Sequence, residues 1–216
     1  MCGVTYQVKA CFRTLQGEGA RAGRVTVFCR LSGCNLWSGR PQDRERASCR
    51  FCDTDFVGID GPGGGSFRSA PDLAGHIASI WADGVARDER RYVVFTGGEP
   101  LLQLDEALIR ACHALGFEVG VETNGTLACP PGLDWVCVSP KAEAPLVQTS
   151  GDELKLVYPQ GELDPRLFES MSFRTFSLQP CDGPGLSEST RACVTYCLKN
   201  PRWRLSVQLH KLLGIP

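Results

Sequence analysis

Tyr92-Val93-Val94-Phe95-Thr96-Gly97-Gly98-Glu99-Pro100, followed by a helical stretch at 104–115 that Gly116 closes, decides how this chain folds. A short apolar run, a glycine turn and a helix make one strand-to-helix step of a parallel sheet, with the turn at the strand's C-terminal end. Upstream, residues 25–31 read Val-Thr-Val-Phe-Cys-Arg-Leu, an apolar and β-branched run that suits a buried parallel strand. Before it, residues 6–13 alternate as a strand, and 15–23 carry three glycines in a turn-forming segment. Downstream, strands are expected at 118–122, 135–138, 153–157, 173–178 and 204–209, with helices at 164–170 and 186–198. A further helix is expected at 71–83, where Pro71 suits the first turn, Leu73, Ile77, Ile80 and Trp81 form an apolar stripe, and Gly84 ends it. The gap between Glu122 and Trp135 is too short for a covering helix of usual length. The expected class is α/β: an incomplete TIM-like parallel β/α barrel of about six strands with few covering helices.

Between the early strands and the first helix lie Cys34, Cys49 and Cys52, spaced Cys34-x14-Cys49-x2-Cys52. Three thiols in one loop suggest a metal site. Structural zinc takes four protein ligands, yet His76, His113 and His210 are far from the loop in sequence and no fourth Cys stands at ligand spacing. A 4Fe-4S cluster held by three thiolates leaves one iron open, and the ligand count favours it, with a structural zinc protein as the rival. The Gly-rich stretch 58–65 reads as a flexible connection. Within the loop, Arg40, Arg44 and Arg46 with Asp43 and Glu45 read as solvated surface, or as a dock for an acidic electron donor.

Composition narrows the class. The 216 residues are 43% hydrophobic and 22% charged, with a formal net charge of -1, which suits one domain (1–216, with the inserted loop at 34–52) and supplies no basic face for nucleic acid. No window is apolar enough to span a membrane. Twelve Cys raise the possibility of a disulfide framework, but Met1-Cys2-Gly3-Val4-Thr5-Tyr6 starts no secretory signal, so a reducing cytoplasm is expected. Cys29, Cys112 and Cys137 stand in apolar segments as small core residues. Polar residues recur where strands stop: Thr96, Glu122, Asn124, Ser139, Lys141, Lys155, Gln179 and Asp182. Such a set describes a ligand-lined mouth. Arg30 ends its strand either as a carboxylate clamp or in a structural ion pair.

The cysteine loop and Gly97-Gly98-Glu99-Pro100 resemble the radical S-adenosylmethionine (SAM) superfamily, although that superfamily's usual spacing is Cys-x3-Cys-x2-Cys and only the second gap is kept. With the x14 gap and Phe12-Arg13-Thr14-Leu15-Gln16-Gly17-Glu18-Gly19, the chain is similar to the 7-carboxy-7-deazaguanine synthase family. The resemblance implies a carbon-nitrogen lyase that converts 6-carboxy-5,6,7,8-tetrahydropterin to 7-carboxy-7-deazaguanine with loss of ammonia, on the way to queuosine. It implies one 4Fe-4S cluster on Cys34, Cys49 and Cys52, with Mg2+ at Thr54. SAM would meet Phe51, Asp53, Gly98 and Glu122, then Ser139, Pro140 and Lys141, then Gln179, Pro180, Cys181 and Asp182. Leu15, Gln16, Gly17, Arg30, Thr96 and Pro216 would hold the pterin, with the apolar end of the chain reaching back to it. A reductant such as flavodoxin and a homodimer are implied as well. The enzymatic rival is a glycyl-radical-enzyme activase, which needs a wide protein-docking surface and the short x3 gap.

Overall fold

The computed structural model describes residues 5–83, 90–161 and 163–216. Nine strands among them form one sheet in the order β3-β1-β2-β4-β5-β6-β7-β8-β9. They are β1 (Tyr6–Leu15), β2 (Val25–Leu31), β3 (Gly65–Phe67), β4 (Tyr92–Gly97), β5 (Glu118–Thr123), β6 (Trp135–Val138), β7 (Ser150–Tyr158), β8 (Ser172–Pro180) and β9 (Trp203–Leu205). From β2 through β4 to β9 every neighbouring pair is parallel, while β1 runs antiparallel to β2, and β3 to β1. The sheet therefore stays open, with β3 and β9 at its edges. This is the expected α/β partial barrel, with a parallel run slightly longer than anticipated and an antiparallel flap at one side.

Among the described residues four helices accompany the sheet: α1 (Ala70–Ala82), α2 (Glu106–Ala114), α3 (Leu186–Lys199) and α4 (Leu209–Leu213). Ser69 Oγ caps α1 by accepting from Asp72 N at 3.2 Å, and Asp105 Oδ1 caps α2 by accepting from Leu108 N at 2.9 Å. That cap is why α2 starts later than the sequence suggested; Pro100–Leu102 forms a separate 3-10 turn first. The expected terminator of α1, Gly84, lies outside the described residues. Residues Pro165–Phe168 make a 3-10 turn where a helix was expected. The link from β5 to β6 carries no helix, as its length required.

Two stretches differ more. Residues 58–65 are not a free connection: Gly61 N donates to Lys9 O and Cys11 N to Pro62 O, and β3 completes the edge. A Cβ at Gly63 or Gly64 would collide with the carbonyls of Cys11 and Lys9, so these glycines allow the chain to lie against β1. The last expected strand stops at Leu205. Ser206 N still reaches Leu178 O, but Leu209 N then donates to Gly17 O and the chain turns across the sheet as α4.

Strand alternation sends one face of the sheet to the helices. Val27, Cys29, Leu31, Val93, Phe95, Val119 and Val121 pack with Leu73, Ile77 and Leu108 under α1 and α2. Leu154, Leu156, Phe176 and Leu178 pack with Cys193 and Trp203 at α3. Each such side chain contributes about 1.5–3 kcal/mol of burial. Cys29, Cys112 and Cys137 are buried, as their apolar settings required. No helix among the described residues is long and apolar enough to cross a membrane.

Candidate active site

The residues that alternate away from the helices line a cavity of about 310 Å3. In β2 these are Phe28 and Arg30, in β5 Glu122, in β7 Lys155 and Val157, and in β8 Gln179. All eight polar residues picked out at strand ends line it: Thr96, Glu122, Asn124, Ser139, Lys141, Lys155, Gln179 and Asp182. Cys34, Cys49 and Cys52 line it too, and so does His210, despite its distance from the cysteines in sequence. Folding back of α4 brings it there.

The cysteine wall is built from the loop after β2. Trp37 and Phe56 meet edge to face at 5.6 Å and pack with Ala47 against Cys34 and Cys52. Arg44 lies over Trp37 at 4.0 Å and donates from Nη1 to the carbonyls of Arg50 (2.7 Å) and Cys52 (3.0 Å). It is therefore a brace of the loop, whereas Arg40 and Arg46 are exposed. The loop starts against the glycine turn after β4: Glu99 N donates to Gly33 O at 2.9 Å, and a Cβ on Gly98 would overlap Gly33 O and Cys34 Cβ. Close approach at Gly98 is thus made by this protein's own backbone. Glu99 is fully buried and accepts from Thr123 Oγ1 (2.7 Å), Asn124 N (2.8 Å) and Leu101 N (3.0 Å). It ties the turn to β5; burial pushes its carboxyl above the ordinary value.

The three thiols differ. A hydrogen bond with Cys49 pulls Cys52 down to about 6, while that same bond and burial push Cys49 up, and burial raises Cys34. Leu36 N donates to Cys34 Sγ at 3.4 Å. Among the described residues no three His, Cys, Asp or Glu converge on a single ion. The thiols instead share one cavity wall among apolar side chains. Three soft thiolate donors on one wall fit an iron-sulfur cluster, which Cys34, Cys49 and Cys52 would hold.

Beside this wall, Lys141 Nζ donates to Ser139 O (2.8 Å) and Ser139 Oγ (2.6 Å) and lies 5.9 Å from the Phe51 ring centroid. Phe51, Asp53, Thr54, Gly98, Pro180 and Asp182 complete the expected SAM and Mg2+ side of the cavity. Pro140 and Cys181 do not line it. The Pro140 carbonyl accepts from Gln160 Nε2 at 3.1 Å, and Cys181 N donates to Tyr158 O, which carries the β7–β8 pairing one residue further.

Leu15, Gln16, Gly17, Arg30, Thr96 and Pro216 all line the cavity as well. Arg30 makes no ion pair among the described residues; its guanidinium lies 5.9 Å from the Phe12 ring centroid. Thr14 Oγ1 donates to Pro216 O at 2.9 Å, so the chain's last residue does reach back. The sequence reading missed Glu18, Gln208, His210 and Lys211 as lining residues. Gln208 Nε2 donates to Glu18 Oε1 at 2.9 Å, and Lys211 Nζ bridges Asp53 (2.5 Å) and Asp182 (2.6 Å). His210 packs where a Cβ on Gly17 would stand. Glu18 was visible inside Gln16-Gly17-Glu18-Gly19; the others were hidden in a stretch that alternates like a strand.

An open, mostly parallel sheet with three loop thiols beside its glycine turn defines a radical SAM enzyme built on a partial barrel. No family model matches the chain. It is 61% identical over 212 residues to 7-carboxy-7-deazaguanine synthase of Bradyrhizobium diazoefficiens, covering 98% of this chain and 100% of that one. It is 59% identical over 213 residues to the synthase of Caulobacter vibrioides, covering 99% and 100%. The crystal structure of QueE from Escherichia coli superposes with a TM-score of 0.70 at 29% identity, over 95% of each chain. The chain belongs to the 7-carboxy-7-deazaguanine synthase family.

Proposed function

We propose that this protein, acting as a single domain, is the radical SAM lyase that converts 6-carboxy-5,6,7,8-tetrahydropterin to 7-carboxy-7-deazaguanine with loss of ammonia, in queuosine and 7-deazapurine biosynthesis. The observation that carries the reading is that one cavity holds both the three loop thiols and the polar set Gln16, Glu18, Arg30, Glu122 and Lys155. Cys34, Cys49 and Cys52 would hold one 4Fe-4S cluster, and Lys141, Ser139 and Asp53 would meet SAM. When bound, cluster and SAM together supply a hydrogen-abstracting carbon radical.

The chain's own residues hold and orient the substrate. Arg30, a planar fork without a carboxylate partner among the described residues, suits the substrate carboxylate. Gln16 and Glu18 offer acceptors to the pterin N–H groups, and so does Glu122, which the sequence resemblance put with SAM but which bonds to Gln16 and Lys155. The apolar Phe12, Leu15 and Phe28 restrict water around the reacting ring. Thr54 would contribute one ligand to Mg2+, which often takes the rest of its shell from substrate and water. A flavodoxin-like donor, a homodimer and a cytoplasmic setting complete the reading.

The test is anaerobic reconstitution with iron, sulfide, SAM, a reductant and the carboxypterin, followed by mass analysis. The deazapurine is expected. Formation of 5'-deoxyadenosine without it would remove the substrate assignment, and a protein that binds zinc and no sulfide would remove the cluster.

A further inference from the structure

Lys155 stands in mid-strand on β7, only 4% exposed, on the cavity side of the sheet. Its Nζ donates to Glu18 Oε2 at 2.6 Å and to Glu122 Oε2 at 3.1 Å. The remaining oxygens are anchored from outside: Gln16 Nε2 donates to Glu122 Oε1 at 2.8 Å and Gln208 Nε2 to Glu18 Oε1 at 2.9 Å. Two carboxylates thus share one ammonium. Each carboxylate has about four acceptor sites, so lone pairs remain after these bonds.

We propose that Lys155 is the positioning residue for substrate selection: it clamps Glu18 and Glu122 into a paired acceptor that takes the adjacent ring N–H and amino N–H of an aminopyrimidinone edge and rejects a carbonyl at the amino position. The inference rests on the pterin reading above and deepens it. A fixed pair of carboxylates can only accept, so it attracts neighbouring donors and repels an oxygen set against it. Without the shared cation, two like charges in one pocket separate, or one takes up a proton and becomes a donor. Although burial pulls the Glu18 carboxyl upward, the Lys155 ammonium holds it down at about 2. Lys155 in turn rises well above its ordinary value against the opposing effect of burial.

The experiment titrates SAM-loaded holoenzyme with two fluorescent probes, 6-carboxypterin and 6-carboxylumazine, in which a carbonyl replaces the 2-amino group. Wild type is expected to prefer the pterin by about 30-fold or more, the scale of charge-assisted hydrogen bonds. Lys155→Met is expected to bind the pterin about 30-fold more weakly and to lose the preference, and Lys155→Arg to keep the preference to within a few-fold. If Lys155→Met does not fold, Lys155→Gln retains a hydrogen bond without the charge and carries the same expectation. A folded neutral variant with the wild-type preference overturns the inference alone. Failure of wild type to bind 6-carboxypterin overturns the pterin reading and this inference with it.

Discussion

Lys141, in the loop after β6, and Lys155, on β7, line the same cavity, and their electrostatic situations are opposite. Lys155 is enclosed by two carboxylates and its pKa rises well above the ordinary value although burial opposes this. Among the described residues Lys141 has only Ser139 O and Oγ as hydrogen-bond acceptors, and loss of water around its ammonium lowers its pKa. One wall has its counter-charges built in. The other holds a cation whose natural partner is an anionic group brought by a ligand or created among the thiols. A buried charge without a partner costs stability, and removing one member of a buried pair creates such a charge. The site around Lys155 therefore has its charges paired, and the ammonium of Lys141 is left for an anionic partner.

Neutralising each lysine in turn is the strongest way to break that contrast. Lys155→Met leaves Glu18 and Glu122 facing each other in a dry pocket and is expected to cost about 3–5 kcal/mol, lowering Tm by roughly 10 °C for a chain of this size. Lys141→Met removes a partly desolvated cation that no carboxylate touches, so the ligand-free protein is expected to melt within about 2 °C of wild type, or above it. Thermal scans of the two variants decide: equal losses would mean that both walls depend alike on their lysine.

Acid sharpens the same comparison at a smaller scale. Glu18 falls from an ordinary 4.5 to about 2 in the folded protein. A depressed carboxyl stabilises the fold fully above its unfolded pKa and loses that contribution as pH falls through the folded value. Between about pH 4.5 and pH 2 the loss should approach about 3 kcal/mol. Urea unfolding across that window should show the slope in wild type and a much flatter one in Lys155→Met. An unchanged slope would show that Glu18 owes its low value to something other than Lys155.

Much of this was legible because alternation and spacing are local. The strand-turn-helix step at Tyr92–Gly97, the x14 and x2 gaps, and the polar strand ends needed no knowledge of distant partners. What remained hidden depended on them. The glycines at 63 and 64 looked flexible because the carbonyls that press on them belong to Cys11 and Lys9, more than fifty residues away. Nothing local shows that the Glu99 carboxylate is taken up by Thr123 and Asn124 at the end of the next strand. The Lys155 clamp joins three elements with sequence separations of 137 and 33 residues. The helix at 209–213 was missed because a strand was expected to run on to Leu209, whereas β9 stops at Leu205 and Leu209 N bonds to Gly17 O.

The smallest expected effect separates the arginine that holds the cysteine wall from those that only face water. Arg44 stacks on Trp37 and bonds two loop carbonyls, one of them that of Cys52. A partly exposed cation-π contact contributes about 0.5–1 kcal/mol and each hydrogen bond about as much, so Arg44→Ala should cost about 1–2 kcal/mol and lower Tm by roughly 3–6 °C. Arg40→Ala and Arg46→Ala, at exposed positions, should stay within about 1 °C of wild type. Arg44→Lys keeps the charge but loses the planar stack and the fork, so it should recover less than half of the loss. The iron retained after desalting of reconstituted protein should follow the same order, because the Cys52 carbonyl belongs to the loop that Arg44 closes. If Arg44→Ala melts and retains iron like Arg40→Ala, the wall is held by Trp37 and Phe56 alone, and the loop needs no charge to be shaped for its ligand.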